Sequence, residues 1–174
     1  IAGILDIPCG LLKRLTVLEP GRLLVLDVSS HHLGDNNSVT PPLLDPPLWE
    51  GGSLGRTFVL DAVDDRPAFM VLDVLDVVGE SAGSPFSHLV AKGELRANLS
   101  INGRRVDYLN RYVETTNETP ERIRIPIPPG ILKTGTNTVL IELTGIANNP
   151  DWLDDLGILQ IAVLFSDAVK PSGD

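Results

Sequence analysis

From Arg22 to Phe165 the apolar residues recur mostly at every second position, between clusters of glycine, proline and asparagine. A period of two sets alternate side chains on opposite faces of an extended chain, whereas a helix of about 3.6 residues per turn gathers them on one stripe. This pattern constrains the fold more than any other feature. "RLLVLDVSS" (22–30), "RTFVLDAV" (56–63) and "LGILQIAVLFSDA" (156–168) read as strands. In the last, Ile158, Gln160, Ala162 and Leu164 oppose Leu159, Ile161, Val163 and Phe165. "AFMVLDVLDVV" (68–78) is apolar on both faces, the signature of a central strand covered on each side.

The turn chemistry between these runs fits hairpins. Asn102-Gly103 is the strongest short hairpin signal, and it lies between Leu95-Ala97-Leu99-Ile101 and Val106-Tyr108. In "RIRIPIPP" (122–129) Ile123, Ile125 and Ile127 alternate with Arg122, Arg124 and Pro126. A proline removes a ladder donor, so this strand is expected at a sheet edge or with the missing N–H facing outward. Gly135 permits positive φ in the following turn, and Asn137 can bond the backbone groups it frees. Val139, Ile141 and Leu143 then face the core. The expected fold is all-β: one antiparallel sandwich, a jelly roll, with an N-terminal extended arm.

The expected organisation is a single domain over 1–174. Residues 1–30 form the arm and first strand, 31–55 a Pro/Gly-rich loop, 56–168 the sandwich and 169–174 a tail. The arm, "IAGILDIPCGLLKRLTVLE" (1–19), is extended or mixed and carries the single cysteine, Cys9, expected as a buried thiol. One cysteine excludes a fold stapled internally by disulfides. The net charge of −9 argues against a phosphate-backbone or membrane-surface partner. No apolar run reaches the roughly 18 residues that span a bilayer, so no membrane insertion is expected. Asn36, Asn98 and Asn117 begin Asn-x-Ser/Thr sequons.

Chemistry-bearing patterns are few. There is no Gly-x-Ser-x-Gly elbow, and His31, His32 and His88 show no triad spacing and read as exposed loop residues. Adjacent histidines on an extended segment point apart, which disfavours a shared metal. Asp151, Asp154 and Asp155 offer several oxygens in a short span, the donor type of calcium, against the plainer reading of a solvated acidic turn. Asp64-Asp65, Asp73 with Asp76, and Asp154-Asp155 are paired carboxylates, but a glycosidase needs two that face each other across a cleft. Asp73 lies among apolar neighbours and is expected in an ion pair with Arg104, Arg105 or Arg111. The chain is read as no enzyme.

Sugar rings stack their CH faces on flat aromatic side chains. Trp49 and Trp152 lie in polar stretches, and Tyr108 and Tyr112 are expected on one strand face with Arg111 between them. These five residues are the candidate glycan contacts. The alternative is that the rings cap the ends of the core. Only 5% of the residues are aromatic, which weighs against a strong glycan binder.

"ILKTGTNTVLIEL" (131–143) resembles the Leu-Lys-x-Gly-x-Asn-x-Val/Ile passage of galactose-binding-like jelly rolls. These occur in carbohydrate-binding modules and in accessory sandwich domains of glycoside hydrolases and polysaccharide lyases. "LSINGRRVD" (99–107) resembles their preceding hairpin and "DDLGILQIAVLF" (154–165) their closing strand, so the likeness covers 56–166. It implies a β-sandwich, a polysaccharide or glycan partner and, in many members, a structural calcium near the N-terminal strands, where this chain offers no matching ligands. The motif encodes a turn and so reports fold more than ligand. Two functions follow. One is a non-catalytic carbohydrate-binding module, extracellular or at the cell surface. The other is a structural subunit of an extracellular filament, surface layer or virion, binding copies of itself by strand addition through the arm.

Overall fold

The computed structural model describes residues 21–35, 48–63, 65–81, 83, 86–116 and 119–167. The arm with Cys9, the tail, and the sequons at Asn36 and Asn117 lie outside the described residues. Among the described residues ten strands run in the order β1 (Gly21–Asp27), β2 (His31–Leu33), β3 (Leu48–Gly51), β4 (Ser53–Leu60), β5 (Ala68–Leu75), β6 (Ala97–Ile101), β7 (Arg104–Tyr108), β8 (Glu121–Ile127), β9 (Gly135–Leu143) and β10 (Leu156–Ser166). A five-residue helix α1 (Ser87–Ala91) precedes β6, and a 3-10 turn (Leu109–Tyr112) follows β7.

The strands form two sheets. One has the order β3-β2-β10-β5-β8, with β1 also paired to β10, and the other the order β4-β9-β6-β7. All pairs are antiparallel except β2–β3, which is parallel. The fold is a β-sandwich. Met70, Leu72 and Val74 of β5, Ile123, Ile125 and Ile127 of β8, and Leu99, Ile141 and Leu54 of the facing sheet meet in one core between the layers. β5 is central, between β10 and β8, and its other face packs Val71 against Ala162 and Leu164. β8, with Pro126, is the edge strand that its proline requires.

The turns follow their residues. Asn102 and Gly103 take φ of 53° and 72°, the pair of positive values that a type I′ hairpin needs. Asn137 is fully buried. Its amide accepts from the Lys133 N–H at 3.0 Å and donates to the Lys133 and Gly135 carbonyls at 2.7 and 3.0 Å. It also accepts from the Asn102 amide at 2.8 Å, which ties the two turns together.

Four expectations are corrected. The stretch 31–55 is not all loop: its described part holds β2, β3 and the start of β4. Strands of three and four residues are too short to display a period. His31 and His32 are buried at 1% and 4% exposure, while His88 is exposed on α1. Asp73 pairs not with Arg104, Arg105 or Arg111 but with Arg122, its cross-strand neighbour on β8, through contacts of 2.6 and 2.8 Å. Finally, a bulge between Ile158 and Gln160 rephases β10, so Ile158 joins Ile161, Val163 and Phe165 in the core.

Candidate functional site

β5 ends at Leu75 where β10 and β8 begin, and β6 begins at Ala97 where β9 ends. The described parts of the connections 76–96 and 109–120, and the connection 144–155, therefore gather at one end of the sandwich. Asn110, fully buried in the 3-10 turn, joins two of them. Its side-chain oxygen accepts from the Ala97 N–H at 2.8 Å, and its NH₂ donates to the carbonyls of Val78 and Leu95 at 2.9 and 3.1 Å. Its own carbonyl accepts from the Glu80 N–H at 2.9 Å. One side chain so fixes the start, the end and the partner of the long 76–96 connection.

Beside it opens a cleft of about 480 Å³, walled by Ser81, Arg111, Tyr112, Glu114 and the start of β8 from Glu121 to Arg124. The Tyr112 hydroxyl donates to Asp107 Oδ2 at 2.8 Å. Burial, then the bond to Asp107 and its charge, push the phenol up to about 12, so it stays a donor throughout the neutral range. The Arg111 guanidinium lies 3.3 Å from the same carboxylate, with the side chain 59% exposed. The Glu121 carboxylate accepts from the N–H groups of Glu114 and Thr115 at 2.9 and 3.1 Å, which closes the 114–121 loop. In that loop the Thr115 hydroxyl is buried with no hydrogen-bond partner among the described residues. Arg122 and Arg124 present the polar face of β8, opposite its core isoleucines.

The five sequence candidates are only partly brought together. Arg111 and Tyr112 share the cleft. Tyr108 ends β7 while Tyr112 lies in the 3-10 turn, so they do not share a strand face. The Tyr108 hydroxyl donates to Glu80 at 2.7 Å, and the Arg96 guanidinium sits 4.1 Å from its ring centroid. Burial and the Glu80 bond raise its pKa. One face and the hydroxyl are thus already engaged. Trp49 belongs to β3, paired with His32, rather than to a loop. Trp152 is 40% exposed, and its ring meets Phe86 edge to face at 6.2 Å and 88°.

The proposed calcium ligands are dispersed. Asp154 accepts from the Val78 N–H at 3.4 Å and Asp155 faces His32 Nε2 at 3.1 Å, while Asp151 is exposed. Among the described residues, no three His, Cys, Asp or Glu side chains form a group that could hold a metal ion.

A charged network at the β1–β4 edge escaped the sequence reading. His31 faces Asp27 through Nε2 at 3.0 Å and Glu50 through Nδ1 at 2.8 Å. Arg56 Nε donates to Asp27 at 2.5 Å, and Nη2 lies 3.5 Å from Glu50. Burial pushes the Asp27 carboxyl up, but Arg56, the Ser29 amide and His31 together hold it well below the usual range. The two ring nitrogens of one histidine cannot face one ion, and the guanidinium lies between the carboxylates, so the network is closed on itself. Nothing in the sequence spacing joins Asp27, Glu50 and Arg56. Phe86 and the arginine face of β8 were also missed. The alternation around Ile123 carries the arginine signal on the face opposite the core.

No family model matches the sequence, and no curated protein matches it. Among solved structures, the chain is similar to BuGH86 in complex with neoagarooctaose at 15% identity and a TM-score of 0.47, over 86% of this chain and 20% of that one. It therefore spans about one fifth of that protein's length. It is also similar to a family 35 carbohydrate binding module from an environmental isolate, at 16% identity and a TM-score of 0.45, over 83% of this chain and 89% of that one. A third likeness is to the carbohydrate-binding module CBM36 in complex with calcium and xylotriose, at 12% identity and a TM-score of 0.38, over 83% and 95%. The sandwich assignment rests on the two sheets themselves.

Proposed function

We propose that this chain is a non-catalytic glycan-binding β-sandwich that binds polysaccharide outside the cell, with the cleft at its loop-bearing end as the binding surface. One observation carries the reading: an open polar cleft of about 480 Å³ whose wall carries a tyrosine, three arginines and two glutamates, with Arg122 also held by Asp73. Planar polar side chains beside an aromatic ring match a sugar, which offers hydroxyls at its rim and CH groups on its faces. Hydrolysis is not part of the proposal, because Glu121 spends both oxygens on backbone N–H groups. Glycoside hydrolysis needs an acid and a base or nucleophile free to face the scissile bond.

The test is a glycan array, followed by calorimetry on the best oligosaccharide. Tyr112→Ala and Arg111→Ala each weaken binding by about tenfold or more, as for loss of one well-placed contact. Failure of the wild-type chain to bind any glycan refutes the proposal. Calcium stays outside the proposed site. Melting curves with calcium and with EDTA should give one Tm, and a calcium-dependent Tm would restore the 151–155 loop as a metal site.

A further inference from the structure

The chain has four phenylalanines and two tryptophans. Phe58 and Phe165 are buried and Phe69 is partly so, but Phe86 is 48% and Trp152 40% exposed. These two rings come from different connections, 76–96 and 144–155, and meet edge to face in solvent. A chain so poor in aromatics has placed two large rings side by side where they contribute little to the core.

Both loops hold their ring in place. Trp152 N–H donates to the Asn149 carbonyl at 3.0 Å, and Ile146 bridges Asn149. A Cβ on Gly145 would lie 2.1 Å from the Pro150 carbonyl oxygen, so the turn closes only with glycine there. Phe86 has φ 58° and ψ 6°, the left-handed region that a bulky L-residue rarely takes, yet the position carries phenylalanine and not glycine. Its carbonyl accepts from Leu89 and Val90 to start α1.

We propose that Phe86 and Trp152 form a second glycan contact, an aromatic corner that stacks on one pyranose of the chain whose other part lies in the cleft. This rests on the glycan reading above. An edge-to-face pair uses the edge of one ring and one face of the other, so flat faces remain for a sugar. Asn148, Asn149 and Asp151, all exposed in the Trp152 turn, supply hydroxyl partners at the rim. That polar, acidic rim fits a neutral saccharide and opposes an anionic lipid surface. Ser81 on the cleft wall and Phe86 lie in the same connection, five residues apart, so at most about 18 Å separates them. One oligosaccharide reaches both, and the ligand is a chain rather than a single sugar.

The test is affinity electrophoresis in gels containing soluble xylan, galactan, mannan or β-glucan, then calorimetry with the disaccharide and hexasaccharide of the retarding polymer. Variants are Phe86→Gly, Trp152→Ala and Tyr112→Ala. The expected result is tighter hexasaccharide than disaccharide binding in the wild type. Phe86→Gly and Trp152→Ala then lower hexasaccharide affinity by about tenfold and leave the disaccharide unchanged. The Tm of Phe86→Gly does not fall, because glycine relieves the positive φ. Wild-type hexasaccharide affinity in both corner variants, with loss in Tyr112→Ala, overturns the corner and leaves the cleft standing. A large Tm drop in Phe86→Gly makes the pair structural and also overturns it. No retardation of the wild type in any gel removes the cleft reading and the corner together.

Discussion

Replacing Asn110 by alanine tests whether the site is held by one side chain. Three side-chain hydrogen bonds disappear at once, to Ala97, Val78 and Leu95. The asparagine is fully buried, so the freed N–H and two carbonyls do not simply return to bulk water. Each buried group left unpaired costs about 1–3 kcal/mol. Water entering the vacated volume recovers part, which leaves about 3–6 kcal/mol in sum. For a chain of this length each kcal/mol moves Tm by about 2–4 °C, so the drop is about 6–24 °C. Asn110→Asp is the sharper variant. It keeps the acceptor for Ala97 but turns an oxygen toward the carbonyls at 2.9 and 3.1 Å, so it should destabilise at least as much as alanine. Differential scanning calorimetry measures both. Because Arg111 and Tyr112 follow directly in the same turn, glycan affinity of the folded variant should also fall well below its Tm. An alanine variant that melts within about 3 °C of wild type with unchanged affinity would refute the claim that Asn110 organises this end.

The buried ion pair gives a second test. Arg122→Met leaves Asp73, 5% exposed, without its bidentate partner and should cost about 3–5 kcal/mol in urea unfolding. The double variant Asp73→Leu/Arg122→Met should recover most of that loss, since an apolar pair of similar volume replaces a buried ion pair at little cost. The edge network predicts an acid dependence. Asp27 titrates lower in the folded chain than its ordinary 3.8, so its stabilising contribution is full above that value and declines as pH falls through the folded value. Urea midpoints from pH 6 down to about 2 should therefore fall less steeply in Asp27→Asn than in wild type below about pH 4. Parallel curves would remove Asp27 from the acid transition.

Where the sequence repeats itself, the fold was legible. The alternations of β5, β8, β9 and β10, the Asn102-Gly103 turn and the Gly135–Asn137 turn are each local, and each carries its own stereochemical reason. β2 and β3 were not legible because three or four residues show no period, and because their parallel pairing is set by partners outside the segment. The same limit governed the side chains. His31 meets Asp27, Glu50 and Arg56 from three other strands, and Asp73 meets Arg122 across 49 positions. Sheet order chooses such partners, and spacing does not reveal them. The phase of β10 failed for a smaller reason, one bulge residue that flips every side chain before it.

The division of labour between the two charged clusters is what makes the loop end the better place for a ligand. At the β1–β4 edge, Asp27, His31, Glu50 and Arg56 face one another, and His31 is 1% exposed. A ligand there would have to break bonds that already satisfy both signs of charge. At the loop end, the tight contacts lie behind the surface: Asn110 to backbone, Glu121 to backbone, Tyr108 to Glu80. Arg111 at 59% exposure, the Tyr112 ring and the Phe86–Trp152 pair stand in front of that frame. At the proposed site such an arrangement would let polar and aromatic groups meet a sugar with little reordering of the backbone, which lowers the entropic cost of binding.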